Sequence, residues 1–302
     1  MKTNILCLMP LKISVPACLV ALAGGLCSTA WCAAQPSPVA DAGQTKGHAL
    51  HAGETNASGG VVPKKELPLP GEVFLVAGHT AFLIPPPTRP AGAPQGWVWY
   101  APTLPGLPGK EERWMFEHFR EAGLAIAGID VGESWGSPAG RRLFTAFRAE
   151  MTGPRGYSPK PVLLGRSRGG LMALAWAVEH ADKVGAFAGI YPVCNLASNP
   201  GVEKAAGPYE MTAEDLQAHL AEHNPIDRLA ALAKAAVPLF AIHGDADVVV
   251  PLEANSGLMK ERYTALGGRM ELIVPKRQGH NMWPGFFQCP ELVRFVKTHA
   301  NP

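Results

Sequence analysis

Beyond residue 34 this 302-residue chain has only two cysteines, Cys194 and Cys289, too few for a disulfide framework or a cysteine-built zinc site. Charge is also scarce: Asp, Glu, Lys and Arg make up 17% of the residues, below the usual quarter, and the formal net charge is +2. Lys2 and Lys12 are the charged residues of the first 34, so the rest of the chain balances 25 basic against 25 acidic residues. That balance excludes a general nucleic-acid footprint. Internal repeats and long heptad patterns are missing too, which excludes solenoid and fibrous designs. Glycine (33), proline (29) and apolar residues (47%) are what the chain has in quantity. It can fill the core of one large globular domain joined by many loops.

Residues 1–34 combine a basic start with an uncharged stretch from residue 13 and small residues suited to cleavage after Ala30 or Ala34. They read as a secretory signal peptide, with the product periplasmic or secreted. Pro16, Gly24 and Gly25 weaken the alternative of a retained membrane anchor, and neither Cys27 nor Cys32 follows a good lipobox triplet. Cys7, Cys18, Cys27 and Cys32 would leave with this segment; Cys194 and Cys289 fit either a disulfide or two isolated buried thiols. Residues 35–66 lack apolar periodicity and read as a flexible tether, in which His48 and His51 are solvated.

From residue 67 to 302, short β-rich runs alternate with helical stretches, the pattern of a mostly parallel sheet flanked by helices on both faces. Residues 72–77 and 80–84, split by Gly78, predict an opening hairpin, and 97–100 the next strand. A helix over 110–121 should stop at Gly123. A strand over 124–129 leads to a helix begun by Ser137 and Pro138 and running to 151. Residues 161–165 form a short apolar strand of the kind buried inside a parallel sheet. Residues 171–178 are apolar on nearly every side, so that helix is buried. Strands over 184–191, 238–242 and 270–274 and helices over 251–266 and 290–299 complete the alternation. Residues 192–224 interrupt it and are expected to form a small cap.

The stretch PVLLGRSRGGLMALAW sets Gly165, Ser167 and Gly169 in G-x-S-x-G spacing between a buried strand and a buried helix. Glycines there permit the sharp turn that lifts a serine hydroxyl above the sheet, at a helix N-terminus whose N–H groups favour negative charge. Downstream, VPLFAIHGDADVVVP is a strand and a loop carrying acids, and MELIVPKRQGHNMWPGFF is the last strand and a loop with His280. With these motifs in the order Ser, Asp, His, the chain resembles the α/β-hydrolase superfamily over nearly all of 67–302. GRSRGG and HGDADVVVP look most like its esterase, dienelactone-hydrolase and prolyl-oligopeptidase branches. The resemblance implies an α/β-hydrolase fold without a cofactor, Ser167 as nucleophile, His280 as general base and then acid, and Asp247, rather than Asp245, orienting His280. The oxyanion would be held by the N–H of Arg168 and by a second from APTLPG. That segment departs from the family's HGGG pattern, and because Pro102 has no N–H, Thr103 is the candidate.

Arg166 and Arg168 flank the nucleophile, and guanidinium groups suit carboxylates, with structural ion pairing, for instance to Glu133, as the alternative. Glucuronoyl esterases have a similar Ser-Arg pair at their elbow, but the Cys before the serine and the Lys after it that they usually carry are absent from this chain. Glu133 and Trp135 follow a strand end and Trp283 follows His280, positions from which they would contact substrate; Asn195 and Asn199 are weaker candidates. These features imply an exported esterase acting on carbohydrate-linked or small aromatic esters, with no nucleic-acid partner and no membrane association after signal cleavage. A prolyl-oligopeptidase-like peptidase is the rival, ranked second because 302 residues leave no room for its usual propeller. His219, Glu222 and His223 spell the H-x-x-E-H zinc-peptidase pattern on one helical face, but no third ligand is apparent, so no metal site is assigned. A non-catalytic binding module on the same scaffold is the remaining alternative.

Overall fold

The computed structural model describes residues 64–88 and 94–300, plus a backbone ladder pairing Glu54–Thr55 with Val61–Val62. The expected signal peptide at 1–34 lies outside the described residues, as does most of the expected tether at 35–66, His48 and His51 included. The ladder is the one regular pairing described within that tether.

Eight strands form one sheet: β1 (Glu72–Val76), β2 (His79–Ile84), β3 (Trp97–Ala101), β4 (Ala125–Ile129), β5 (Val162–Arg166), β6 (Ala186–Ile190), β7 (Leu239–Ile242) and β8 (Met270–Ile273). Their spatial order is β1-β2-β4-β3-β5-β6-β7-β8; β2 runs antiparallel to β1 and β4, and the other neighbours are parallel. Strands β3 to β6 are buried along their whole length, as parallel strands covered on both faces must be.

Alternation along each strand divides the core in two. On β3, Trp97, Trp99 and Ala101 face one apolar cluster, while Val98 and Tyr100 face the other. Helices α2 (Pro138–Thr152), α3 (Arg168–Ala177) and α7 (Leu258–Ala265) cover the first with Phe144, Phe147, Trp176 and Tyr263. Helices α1 (Arg113–Glu121) and α8 (Pro290–Ala300) cover the second with Phe116, Phe119, Phe295 and Val296. Trp99 anchors the first face, its ring 5.5 Å from Trp97 and 4.9 Å from Trp176. Side chains of this size contribute roughly 1.5–3 kcal/mol each when fully buried, so the sheet centre is a firm base for the loops at its carboxyl end.

Residues 192–224 carry α4 (Val202–Tyr209), α5 (Ala213–Ala218) and α6 (Leu220–His223) and no strand. They share a third cluster with Leu171 of α3 and Val250, in which Val202, Ala205, Tyr209 and Leu216 are buried. The H-x-x-E-H reading is corrected by this segment. The helix breaks at His219, which separates α5 from α6, so the two histidines do not share one helical face. His219 Nδ1 lies 2.8 Å from the Asp215 carbonyl, and His223 packs its ring against Tyr209. Among the described residues no group of three or more His, Cys, Asp or Glu side chains is arranged to hold a metal. Cys194 and Cys289 are both free and buried, which excludes the disulfide alternative.

Candidate active site

Between β5 and α3 the chain turns at Ser167 with φ 51° and ψ −125°, a conformation that L-residues rarely adopt and that surrounding contacts must hold. Ser167 donates its N–H to Ile190 O (3.0 Å), and its carbonyl accepts from Gly170 N (2.9 Å) and Val193 N (2.8 Å). Gly169 sits where a Cβ would collide with Ala101 O and Pro102 N, and one on Gly165 would press on Gly170. Glycine at both positions is therefore a requirement of close backbone approach. The turn leaves Ser167 beside the first turn of α3, whose N–H groups lack intrahelical partners.

Two more strand ends supply the other groups. After β7 the chain passes His243 and Gly244 to Asp247, and after β8 it reaches His280. The two loops are laced together: Ala246 N donates to Gln278 O (3.0 Å), and Arg277 N to Asp245 Oδ1 (2.6 Å). Asp245 also pairs with Lys276 (3.4 Å). Asp245 thus ties one loop to the other, while Asp247 Oδ2 receives His280 Nδ1 at 2.8 Å. Because an ionised carboxylate only accepts, Nδ1 carries the proton and Nε2 is left to accept from Ser167 Oγ, also at 2.8 Å. The Tyr191 ring backs the imidazole, with centroids 4.3 Å apart.

Asp247 is fixed on its other sides. Oδ1 accepts from Val249 N (3.0 Å) and Val250 N (2.8 Å), and the buried His243 approaches Oδ2 at 3.4 Å. Burial alone would raise its pKa, but the bonds from His243, His280 and Val250 N–H outweigh burial and hold the carboxyl well below the usual range. His243 is itself clamped, its Nδ1 2.8 Å from Ser256 Oγ and its Nε2 2.8 Å from Val250 O.

Ser167 and His280 open onto a cavity of about 160 Å³ lined also by Pro102, Leu107, Arg166, Arg168, Tyr191 and Met282. Arg166 is buried, with Nη1 on Glu112 Oε1 at 2.6 Å. Glu112, fully buried, also accepts from Tyr100 Oη and Gly109 N, each at 2.8 Å. Burial opposes the Arg166 charge, but Tyr100, Glu112 and Tyr191 more than offset it, and its pKa is raised. Burial likewise pushes the Tyr191 phenol up to about 12, against the pull of Arg166.

Several sequence-based expectations move. Thr103 is not on the cavity wall: it is buried with Oγ1 donating to Tyr100 O (3.3 Å), and the same loop presents Pro102 and Leu107 instead. Arg166 does form a structural ion pair, but with Glu112; Glu133 instead pairs with Arg168 at 3.2 Å, out on the surface. Trp135 is buried in the third cluster, where Tyr209 Oη donates to its carbonyl (3.2 Å), so it does not reach the cavity. Trp283 stands outside the cavity with its ring edge-on to Phe286 (5.3 Å); its neighbour Met282 takes the wall position. Asn195 and Asn199 hold backbone, with Nδ2 donating to Ala254 O and Val249 O. Met282 and Tyr191 escaped the sequence reading because nothing in either motif separates a wall residue from core. A strand-end position, Tyr191, and proximity to His280 were the available signals.

The strand order, the antiparallel second strand and three side chains meeting from the ends of β5, β7 and β8 decide the relationship. The chain has an α/β-hydrolase fold. Residues 157–295, under half of the chain, match the prolyl oligopeptidase family. Among solved structures it is similar to a Mycobacterium tuberculosis puromycin-hydrolysing peptidase, at 16% identity and TM-score 0.60 over 76% of this chain and 39% of that one. Porphyromonas gingivalis dipeptidyl peptidase 4 has 12% identity and TM-score 0.60, over 76% of this chain and 35% of that one. An S-formylglutathione hydrolase from Agrobacterium tumefaciens has 16% identity and TM-score 0.57, over 76% of this chain and 92% of that one. This chain thus spans well under half the length of both peptidases. No curated protein sequence matches it.

Proposed function

We propose that this chain is an exported hydrolase that cleaves carboxylic esters through an acyl-enzyme on Ser167. The observation that carries the reading is the unbroken chain from Ser167 Oγ through His280 to Asp247, with 2.8 Å at each link. Ser167 Oγ attacks the ester carbonyl while its proton passes to His280 Nε2, and Asp247 steadies the imidazolium. Collapse of the tetrahedral intermediate breaks the carbonyl–alkoxy bond, and His280 returns the proton to the departing alcohol. Water then attacks the acyl-enzyme with His280 again taking the proton; the acid leaves and Ser167 is restored.

Arg168 N–H, directly after the nucleophile, is one oxyanion donor, and the loop after β3, which lines the cavity with Pro102 and Leu107, is where a second would come from. The loops suggest the rest of the substrate. Among the described residues six large apolar side chains are exposed, and four of them, Val248, Val249, Met282 and Trp283, lie on the loops carrying Asp247 and His280. Such a rim suits an aromatic or sugar-linked ester extending from the cavity.

A peptidase is the second reading, favoured by the prolyl oligopeptidase match and the two peptidase neighbours. The test compares p-nitrophenyl acetate, feruloyl and uronate esters with peptide anilides, on wild type and Ser167→Ala. Ester turnover exceeding anilide turnover, and lost in Ser167→Ala by about 10⁴-fold or more, is the expected result. Ester turnover retained by Ser167→Ala would remove the mechanism, and faster anilide cleavage would transfer the assignment to the peptidase.

A further inference from the structure

Two strong donors converge on one poor acceptor in the wall of the cavity. Arg166 Nη2 lies 3.0 Å from Met282 Sδ, and Tyr191 Oη lies 3.9 Å from the same sulfur. A thioether is a weak acceptor, whereas a guanidinium and a phenol reach their strongest hydrogen bonds with an anionic oxygen. The arrangement is built. Arg166 is 8% exposed, Tyr191 fully buried, and Glu112 holds the far side of the guanidinium. Met282, by contrast, is 49% exposed on an unbranched side chain and is free to swing outward. All three residues line the same cavity as Ser167 and His280.

We propose that Arg166 and Tyr191 form a carboxylate subsite, with Met282 as the stopper that a substrate carboxylate displaces. The proposal rests on the ester reading and specifies it: the preferred ester carries a second, free carboxylate a few atoms from the scissile carbonyl, since 160 Å³ admits only a short group. Arg168 lines the same cavity but is the weaker anchor, because its guanidinium is solvent-exposed beside Glu133, where water screens the charge that burial preserves at Arg166. The carboxylate can sit on either half of the ester, and two experimental arms separate the sources.

The measurement is a ratio of kcat/KM values. In the acyl arm, p-nitrophenyl hemisuccinate is compared with its methyl-capped analogue; in the alcohol arm, 4-acetoxybenzoate with its methyl ester. In one arm wild type should favour the anion by between about ten- and a hundredfold, as charge-assisted bonds imply. The ratio should fall to near one in Glu112→Gln/Arg166→Met, a paired change that leaves no lone buried charge. Should that variant fail to fold, Tyr191→Phe removes one donor and should lower the ratio severalfold. Arg168→Ala should leave the ratio unchanged. Equal rates in both arms, or a preference that survives in the Arg166 and Tyr191 variants and vanishes in Arg168→Ala, would overturn the subsite. Failure of the ester reading is a separate result, since it shows as neutral-ester turnover in Ser167→Ala.

Discussion

Glu112 is the residue whose loss the structure prices most clearly. It is fully buried and accepts three hydrogen bonds, from Arg166, Tyr100 and Gly109, whereas its partner Arg166 keeps 10% side-chain exposure. Glu112→Gln preserves shape and one acceptor oxygen but strands the guanidinium charge. Breaking a buried pair costs about 3–5 kcal/mol, and the retained amide oxygen places this substitution near the lower bound, about 3 kcal/mol. A domain of this size loses roughly 2–4 °C of Tm per kcal/mol, so the midpoint should drop by about 6–12 °C. Arg166→Met alone should cost a similar amount by stranding the carboxylate, but the double variant should cost much less than the sum. Thermal and urea unfolding of all four proteins give the cycle. The exposed Arg168–Glu133 pair is the internal standard: Glu133→Gln should move stability by no more than about 1 kcal/mol. A Glu112→Gln effect within that same range, or additive behaviour in the cycle, would refute the claim that Arg166 is held as a buried ion.

Asp247→Asn should lower kcat by about 10⁴-fold with little effect on KM, because the amide favours the wrong imidazole tautomer. Its pH signature follows from the depressed carboxyl: the stability Asp247 contributes is full above the unfolded value, about 3.9, and is lost as pH falls toward the lower folded value. The stability gap between wild type and Asp247→Asn should therefore be flat above about pH 5 and shrink below about pH 4; a gap that widens on acidification contradicts the assigned bonds. Gly169→Ala sets a Cβ against Ala101 O and Pro102 N, backbone atoms that cannot yield cheaply, and should destabilise by more than about 3 kcal/mol. Near-wild-type unfolding of that variant would show the elbow to be looser than its contacts imply.

Much of the fold is legible in the sequence because its signals are local. The buried strands β5 and β7 are short apolar runs flanked by turn residues. Ser137 begins α2 by accepting from Gly140 N (3.4 Å), and Gly123 takes φ 80° after α1. The break at His219 was not legible. Thr212 caps α5 through Asp215 N at 3.1 Å, which reads as one helix start, while the interruption arises where α6 turns its His223 ring onto Tyr209 of α4, a contact between segments. Spacing alone continues a helix past the point where packing stops it.

The same division runs through the site. Ser167, Asp247 and His280 stand out because each is embedded in backbone chemistry that the motif itself encodes: a strained turn needing glycines, an Asx-like loop whose N–H groups fix the acid, and a loop laced to it. The cavity wall is different, since Arg166, Tyr191 and Met282 come from the ends of β5 and β6 and from the loop after β8. Glu112, which positions Arg166, is supplied by a short helical turn 54 residues earlier in the chain. No pair among these four is local, and each alone reads as an ordinary core or surface residue. Trp135 errs in the opposite direction, for adjacency to a strand end suggested contact with substrate when the strand end simply delivered it into the core. Catalytic groups are thus announced by the turns they require, whereas specificity is set by side chains whose meaning exists only once the sheet has brought them together.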